Sequence, residues 1–564
     1  MISVSGREWE EKKVNPKFVE KIQQEHNFSK ILSRLIVSRN FDENEIYLIE
    51  KNLNLSNIFK NNSDFIDAVK LVIQALKNRE NIGILGDYDV DGSAATSLFA
   101  NFFQNLKHPF FYYIPDRVKD GYGASKKLFE KLILKKPKLI IMVDCGSTSI
   151  DAVNFLNKNN IKSLIIDHHE INKPYPKANV IINPKKDNGY LKYDYLCATS
   201  LTYFFLDILV KKIQYKINLR KYLIYVLLAT VCDVMPLRKL NRLISITALK
   251  EFNFNDNPVF NKLYELNNRK NKININDLGY LIGPILNAGG RLAKSNYATE
   301  LLSSNNPIII NKRSAELISL NDKRKKIENI ILKNIDYNKI EKDDEDIIIH
   351  YNPNINEGLI GIIASRLKDY FNKPSIVITN SNNLLKGSAR SIYDYNIGKA
   401  IKNLLDKNIL LNGGGHNMAA GFTLKKNNLY NFKRSITSDY LKKNSSKKNI
   451  FSYDAQVSAR ALNKDFYTDI KKLEPFGTGN PNPIFLFKDL KVIKTNIFKE
   501  KYLSVILKSK VGYTIKSMYF DSLNNSISEY LQNYKKTFSV LGQINENIWN
   551  NKRVLQLTIQ DLII

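Results

Sequence analysis

The chain has 564 residues, 43% of them hydrophobic and 25% charged, a composition that builds several packed cores and excludes a wholly disordered protein. Its 85 Lys and Arg stand against 55 Asp and Glu, a formal net charge of +30. That excess fits a polyanionic partner, with nucleic acid the default, although this Lys-, Asn- and Ile-rich chain carries Lys everywhere. Cys145, Cys197 and Cys232 lie far apart and form no CxxC pair, which excludes a disulfide scaffold or a Cys-based zinc site and fits a reducing compartment. Residues 1–13 show no secretory signal, and the apolar run at 222–232 is too short to span a bilayer. A soluble, cytoplasmic protein with no membrane association is the expectation.

In chain order, residues 1–77 read as a charged, mostly helical segment. From Asn81 short apolar runs alternate with helical patterns: 82–85 precedes Gly86-Asp87, 138–143 precedes Asp144-Cys145-Gly146, and 163–166 precedes Asp167-His168-His169. Continuous apolar strands alternating with helices predict a parallel sheet covered on both faces, with ligands at the carboxyl ends of the strands. This α/β domain is assigned to 78–250, its last part a buried helix at 222–231 that delivers Asp233. Residues 251–340 form a connecting segment. Its Asn-rich stretch at 250–275 shows no clear element, and a long charged helix is expected at about 312–339. A second α/β pattern occupies 341–440, with strands at 347–350 and 375–379 and a buried helix starting at 360–367. Residues 436–450 read as a polar linker. Beyond 451 the pattern alternates with period two (Leu555, Leu557 and Ile559 against Gln556, Thr558 and Gln560), and Asn550-Asn551 suits a hairpin turn. An all-β barrel or sandwich over 451–564 follows.

The densest acidic cluster is Asp87-Tyr88-Asp89-Val90-Asp91-Gly92. It matches the first half of a calcium-binding EF-hand loop, but the twelfth position is Leu98 where a bidentate Glu is required, and a strand precedes it. The alternative is a divalent-metal site at the strand ends. Asp87 and Asp89 come from one strand, Asp144 from a neighbour, His168 and His169 from a third, and Asp233 from a helix end. Each alone would pass for a cap or turn residue; together they form a mixed oxygen and nitrogen set that suits Mn²⁺ or Mg²⁺. So many converging carboxylates need cations. Two ions roughly 3.5–4 Å apart would neutralise them, activate a water and clamp a phosphoryl group.

The element Asp167-His168-His169 resembles the signature of the DHH phosphoesterase superfamily. Gly86-Asp87-Tyr88-Asp89-Val90-Asp91-Gly92, Val143-Asp144-Cys145-Gly146 and Cys232-Asp233-Val234-Met235-Pro236-Leu237 fall in that family's order. Further stretches are similar to its RecJ branch: Ile114-Pro115-Asp116-Arg117, Asn287-Ala288-Gly289-Gly290-Arg291-Leu292, the run from Gly358 through Leu367, Lys386-Gly387-Ser388-Ala389-Arg390-Ser391, and Leu473-Glu474-Pro475-Phe476-Gly477-Thr478-Gly479-Asn480-Pro481.

The resemblance implies a parallel-sheet DHH domain, a second α/β domain of DHHA1 type joined by a long helix, and a C-terminal OB-fold barrel. It implies a metal-dependent 5′→3′ exonuclease acting on single-stranded DNA in repair and recombination, releasing 5′-mononucleotides. Asp87, Asp89, Asp144, His168 and Asp233 would ligate two Mn²⁺ or Mg²⁺ ions. His169 would touch metal or scissile phosphate, Asp91 would be a ligand or an orienting group, and Asp167 would orient the imidazoles. Arg117, Arg291, Ser388, Arg390 and His416 would bind substrate. Tyr513, Tyr519 and Phe520 could stack bases, though aromatics of a small barrel are more often core. A single-strand-binding protein and a helicase would be partners. One departure stands out: Asn356 occupies a position where relatives usually carry His, and Asn cannot carry a proton or charge near neutral pH. Two rival readings remain at this stage. One is a phosphodiesterase of short oligonucleotides or small phosphorylated molecules. The other is a catalytically silent single-strand-binding factor.

Overall fold

The structure, a computed structural model, describes residues 1–564 except 51–53, 117–119, 121–122, 188–189, 293, 393, 445–449, 500, 522–524, 534–535 and 550–551. The chain divides into two compact units. One comprises 57–233 with 251–447, and the other 1–56 with 234–250 and 448–564.

The first unit holds both α/β domains. A five-stranded sheet runs in the order Phe110–Tyr113, Ile82–Leu85, Leu139–Val143, Lys162–Ile166, Val180–Ile182, and every pairing is parallel. Its central strands are buried along their whole length, which is why they read as unbroken apolar runs. Ile140 and Met142 pack with helices Lys126–Leu132 and Ile150–Lys158. Leu139, Ile141 and Val143 alternate away from that cluster and are equally buried; helices Val90–Asn105 and Ala198–Lys212 lie against their strand. A 27-residue helix, Pro307–Lys333, starts earlier and ends sooner than expected; Asn306 caps its N-terminus and Pro307 occupies its first turn. It touches Gly283–Arg291 on one side and Ile360–Phe371 on the other. Glu328 fixes the second contact, accepting from Arg324 at 2.8 Å and from Arg366 at 2.8 Å.

The second sheet is mixed, in the order Asn412–His416, Ala419–Leu424, Leu384–Arg390, Ser375–Ser381, Ile348–Tyr351; only its last two strands pair in parallel. Two local expectations are corrected. The Asn-rich stretch contains a helix, Pro258–Leu266, whose Val259, Phe260, Leu263 and Tyr264 are buried. Flanking Asn residues masked that four-residue stripe. The polar segment at 436–450 is not a linker up to 444, because helix Leu429–Asn444 runs through it with Phe432 and Ile436 in the core.

The second unit is a closed barrel. Phe485–Phe498 pairs with both Tyr502–Ser509 and Phe538–Trp549, and Thr514–Tyr519 pairs in parallel with Lys552–Ile563. Closure removes the exposed edges. Leu32, Leu35 and Ile36 of the N-terminal helices join its core. The segment read as helical also contributes a strand, Glu8–Glu11, parallel to Ile450–Tyr453. Tyr519 is core at 3% exposure, whereas Tyr513 and Phe520 are exposed. The hairpin tip at Asn550-Asn551 lies outside the described residues. No helix among the described residues is long and apolar enough to cross a membrane.

Candidate metal centre

The site assembles at the carboxyl ends of the first sheet. Helix Val90–Asn105 begins where strand Ile82–Leu85 ends, and Asp89 caps it, accepting from the Gly92 N–H at 3.0 Å. Gly92 is required by space, since a Cβ there would stand 2.5 Å from the Asp87 nitrogen. Asp144 sits just past its strand in the left-handed region (φ 59°), a conformation Asp tolerates better than most residues. Its N–H donates to the Ile166 carbonyl at 3.0 Å, carrying the ladder one residue beyond the strand. Asp233 is the C-cap of helix Leu223–Cys232.

These elements bring the predicted ligands together. His168 Nε2 lies 3.3 Å from Asp144, 3.4 Å from Asp233 and 3.6 Å from Asp91. Three overlapping groups each place their ligand atoms within 4.8 Å: Asp87, Asp89 and Asp144; Asp91, His168 and Asp233; Asp144, His168 and His169. Asp144 Oδ1, Asp233 Oδ2 and His168 Nδ1 are buried and make no hydrogen bond among the described residues. Such atoms are costly unless a cation takes them up. Burial and the surrounding carboxylates hold Asp144 and Asp233 well above the usual carboxylate range. Burial, then the adjacent imidazole, pulls His168 down to about 4, keeping it neutral and able to ligate. The donor set contains oxygen and nitrogen but no sulfur, and it fits Mn²⁺ or Mg²⁺.

The two open assignments gain geometry. Asp167 accepts from the N–H groups of Ser147, His168 and His169 and pairs with His169 Nδ1 at 2.8 Å. It orients the histidine loop and, against the pull of burial, raises His169 to about 10. Asp91 takes the N–H groups of Ala198 and Thr199, both at 2.8 Å, and the Thr199 hydroxyl at 2.6 Å. Its carboxylate therefore seats the N-terminus of helix Ala198–Lys212 while standing beside His168.

The expected substrate residues divide. Arg117 lies outside the described residues. Ser388 is nearly buried and accepts from Arg390 at 3.1 Å. Arg291, at the end of helix Gly283–Arg291 in the connecting segment, donates to the Gly358 carbonyl of the second α/β domain at 3.1 Å. Gly358 must be Gly, since a Cβ would meet the Arg291 carbonyl oxygen at 2.2 Å. His416 lies in the exposed strand Asn412–His416, and burial of its ring, then the charges of Arg390, Lys185 and His169, hold its imidazole below the usual range. His416 of the second domain therefore lies within electrostatic reach of the histidine loop. Asn356 accepts from the Gly358 N–H at 2.8 Å, a turn-forming role that needs no proton. Sequence reasoning missed Asn183, fully buried, whose amide donates to Ser147 Oγ at 2.8 Å and to the His169 carbonyl at 2.9 Å. The only cue was its place at the end of a fourth apolar run.

Comparison with known proteins agrees with this architecture. Residues 81–230 match the DHH family N-terminal domain, 344–443 the DHHA1 domain and 453–561 the RecJ OB domain. The chain is 29% identical over 527 residues to the single-stranded-DNA-specific exonuclease RecJ of Haemophilus influenzae, covering 87% of this chain and 89% of that protein. It is 27% identical over 578 residues to the Bacillus subtilis protein of the same name, covering 99% and 71%. In fold it is similar to RecJ of Thermus thermophilus solved in complex with Mn²⁺, with a TM-score of 0.81 at 20% identity, covering 98% of this chain and 79% of that one. With DHH, DHHA1 and RecJ OB matches following one another in order between residues 81 and 561, and similarity to RecJ proteins over most of its length, the chain is a strong match to the RecJ family.

Proposed function

We propose that the protein is a metal-dependent exonuclease that degrades single-stranded DNA from the 5′ end, releases 5′-mononucleotides and serves DNA repair and recombination. The observation that carries this reading is the cluster of Asp87, Asp89, Asp144, His168 and Asp233, in which the buried, orphaned atoms of Asp144, His168 and Asp233 call for divalent cations. Mn²⁺ or Mg²⁺, two ions by the number of ligands, would lower the pKa of a bound water and stabilise charge on the phosphate. The chain's own residues do the rest. Asp167 and Asn183 hold the loop of His168 and His169. His169, 45% exposed and charged through Asp167, meets a phosphate oxygen at the lip. Arg390, Ser388 and His416 grip the strand from the second domain, Arg291 does so from the segment that precedes it, and Arg117 belongs to the same set. Backbone contacts of this kind read no bases, so selectivity for a single strand follows from what the approach admits.

The relatives' names supply the substrate, and the net charge of +30 supports a polymer over a small phosphorylated molecule. A single-strand-binding protein and a helicase are the partners we expect, and three free cysteines suit the cytoplasm. The test uses 5′-labelled and 3′-labelled single strands and a blunt duplex in Mn²⁺, Mg²⁺ or EDTA, with Asp144→Ala alongside. Metal-dependent release of mononucleotide from the 5′ label, absent on duplex and abolished in Asp144→Ala, supports the reading. Binding without cleavage overturns it in favour of a silent binder, and cleavage confined to very short oligonucleotides overturns it in favour of a small-substrate enzyme.

A further inference from the structure

Beside the histidine loop stands a cation that none of the motifs above accounts for. Lys185 lies in the turn Asn183-Pro184-Lys185 that follows the edge strand Val180–Ile182. Asn183 builds this turn: its Oδ1 accepts from the Lys185 N–H at 2.9 Å, while its amide holds the His169 carbonyl at 2.9 Å. One buried side chain therefore ties the backbone of Lys185 to the backbone of His169. The Lys185 side chain is 25% exposed and its ammonium lies 3.0 Å from Glu170, whose own side chain is 65% exposed. Its charge is felt by His168 and Asp233 within the carboxylate cluster and by His416 of the second domain.

Placed there, Lys185 is more than an ordinary surface ion pair. A surface pair contributes little to stability, and the turn that aims this one is built on a fully buried Asn. A cation this close to the carboxylates offsets the repulsion they would otherwise exert on a polyanion. Glu170 occupies the ammonium while no phosphate is present; a backbone phosphate offers the same ammonium a stronger acceptor.

Building on the exonuclease reading, we propose that Lys185 is a substrate-binding residue that holds a backbone phosphate of the single strand beside the metal centre, and that Glu170 competes with that phosphate for the ammonium.

The test compares Lys185→Met, Lys185→Arg, Glu170→Gln and the double variant Lys185→Met/Glu170→Gln in the full chain, on a 5′-phosphorylated single-stranded oligonucleotide with Mn²⁺. A lost charge-assisted contact to phosphate should raise KM about ten- to a hundredfold in Lys185→Met and leave kcat within a few-fold. Its salt dependence of binding should flatten by about 0.7 in log–log slope. Lys185→Arg should recover most of the loss. Glu170→Gln should move the other way, lowering KM, and should have no effect once Lys185 is Met. Mn²⁺ affinity and melting temperature should match the wild type throughout. A KM unchanged in Lys185→Met, or a Glu170→Gln variant weakened as much as Lys185→Met, overturns the assignment, as does a Lys185→Met loss that tracks lost Mn²⁺ binding. If the wild type itself cleaves no single strand in Mn²⁺, it is the exonuclease reading that fails; if the wild type cleaves and Lys185→Met cleaves equally well, only the Lys185 inference falls.

Discussion

Replacing Asp91 with Asn separates two roles that its position allows, seating a helix and holding a cation. The carboxylate oxygens receive the Ala198 and Thr199 N–H groups at 2.8 Å and the Thr199 hydroxyl at 2.6 Å, and the side chain is 1% exposed. Asn keeps the shape but turns one acceptor into a donor. One buried backbone N–H then faces an NH₂ group, and the helix N-terminus loses its negative partner. A hydrogen bond to a charged group contributes about 1.5–3 kcal/mol, and the helix-end charge about 0.3–1 kcal/mol more. The expected loss is therefore about 2–4 kcal/mol. One gain opposes this loss. It is relief of the repulsion that Asp91 exerts on Asp89, Asp144 and Asp233, whose pKa values burial and then Asp91 raise, and we expect the lost helix contacts to outweigh it in metal-free protein. For a domain of 150–250 residues, where each kcal/mol moves the melting temperature by about 2–4 °C, the shift should be roughly 5–15 °C downward. The assay is scanning calorimetry in EDTA, with amide hydrogen exchange followed over helix Ala198–Lys212. An Asp91→Asn protein that melts at or above the wild-type temperature in EDTA, with that helix equally protected, refutes the reasoning and makes Asp91 a ligand first.

Three further outcomes follow from the same geometry. Asp144→Asn should behave oppositely in EDTA. A folded-state pKa above the unfolded value near 3.9 means that ionisation costs native stability as pH rises, so the variant should melt higher than wild type at neutral pH, with the gap closing as pH falls towards about 4; melting curves across that range check it. Gly92→Ala would set a Cβ 2.5 Å from the Asp87 nitrogen, so Mn²⁺ affinity measured by calorimetry should fall at least tenfold while the fold, read by circular dichroism, persists. In the barrel unit, Glu45 is fully buried and paired with Arg238 at 2.5 and 2.6 Å. Glu45→Gln should destabilise this unit by about 1–3 kcal/mol, because the guanidinium loses its carboxylate but keeps its bonds to the Arg39 and Asn40 carbonyls. Both tryptophans of the chain, Trp9 and Trp549, belong to this unit, so denaturant unfolding followed by tryptophan fluorescence measures it directly.

The first sheet was legible because its central strands are buried on both faces and end in chemistry. Apolar runs terminating at Asp87, Asp144 and His168 announce both the strands and the place where ligands gather. What pairwise physics decides across long separations was not legible. Strand Glu8–Glu11 finds its partner Ile450–Tyr453 more than four hundred residues on, and its Trp9 indole donates to the buried carboxylate of Asp561 at 2.9 Å. Nothing local in a charged N-terminal segment marks it for that sheet. Helix Pro258–Leu266 was hidden because its buried stripe is short and its flanks are Asn-rich. Asp91 shows the limit at the site itself. A D-x-D-x-D pattern gives three equivalent carboxylates, and only the distant N–H groups of Ala198 and Thr199 distinguish the third. Asn183 and Lys185 matter through what they touch, and their types in a polar turn carry no signal of it.

The central claim is that Asp87, Asp89, Asp144, His168 and Asp233 bind the divalent ions that drive phosphodiester cleavage. The most direct test titrates Mn²⁺ into the full chain by calorimetry, wild type beside Asp144→Asn and Asp233→Asn, with cleavage of a 5′-labelled single strand measured on the same preparations. The account predicts close to two ions bound by the wild type, a loss of at least one in each variant, and cleavage lost in step. Equal Mn²⁺ binding by all three proteins, or cleavage that survives both substitutions, would contradict it.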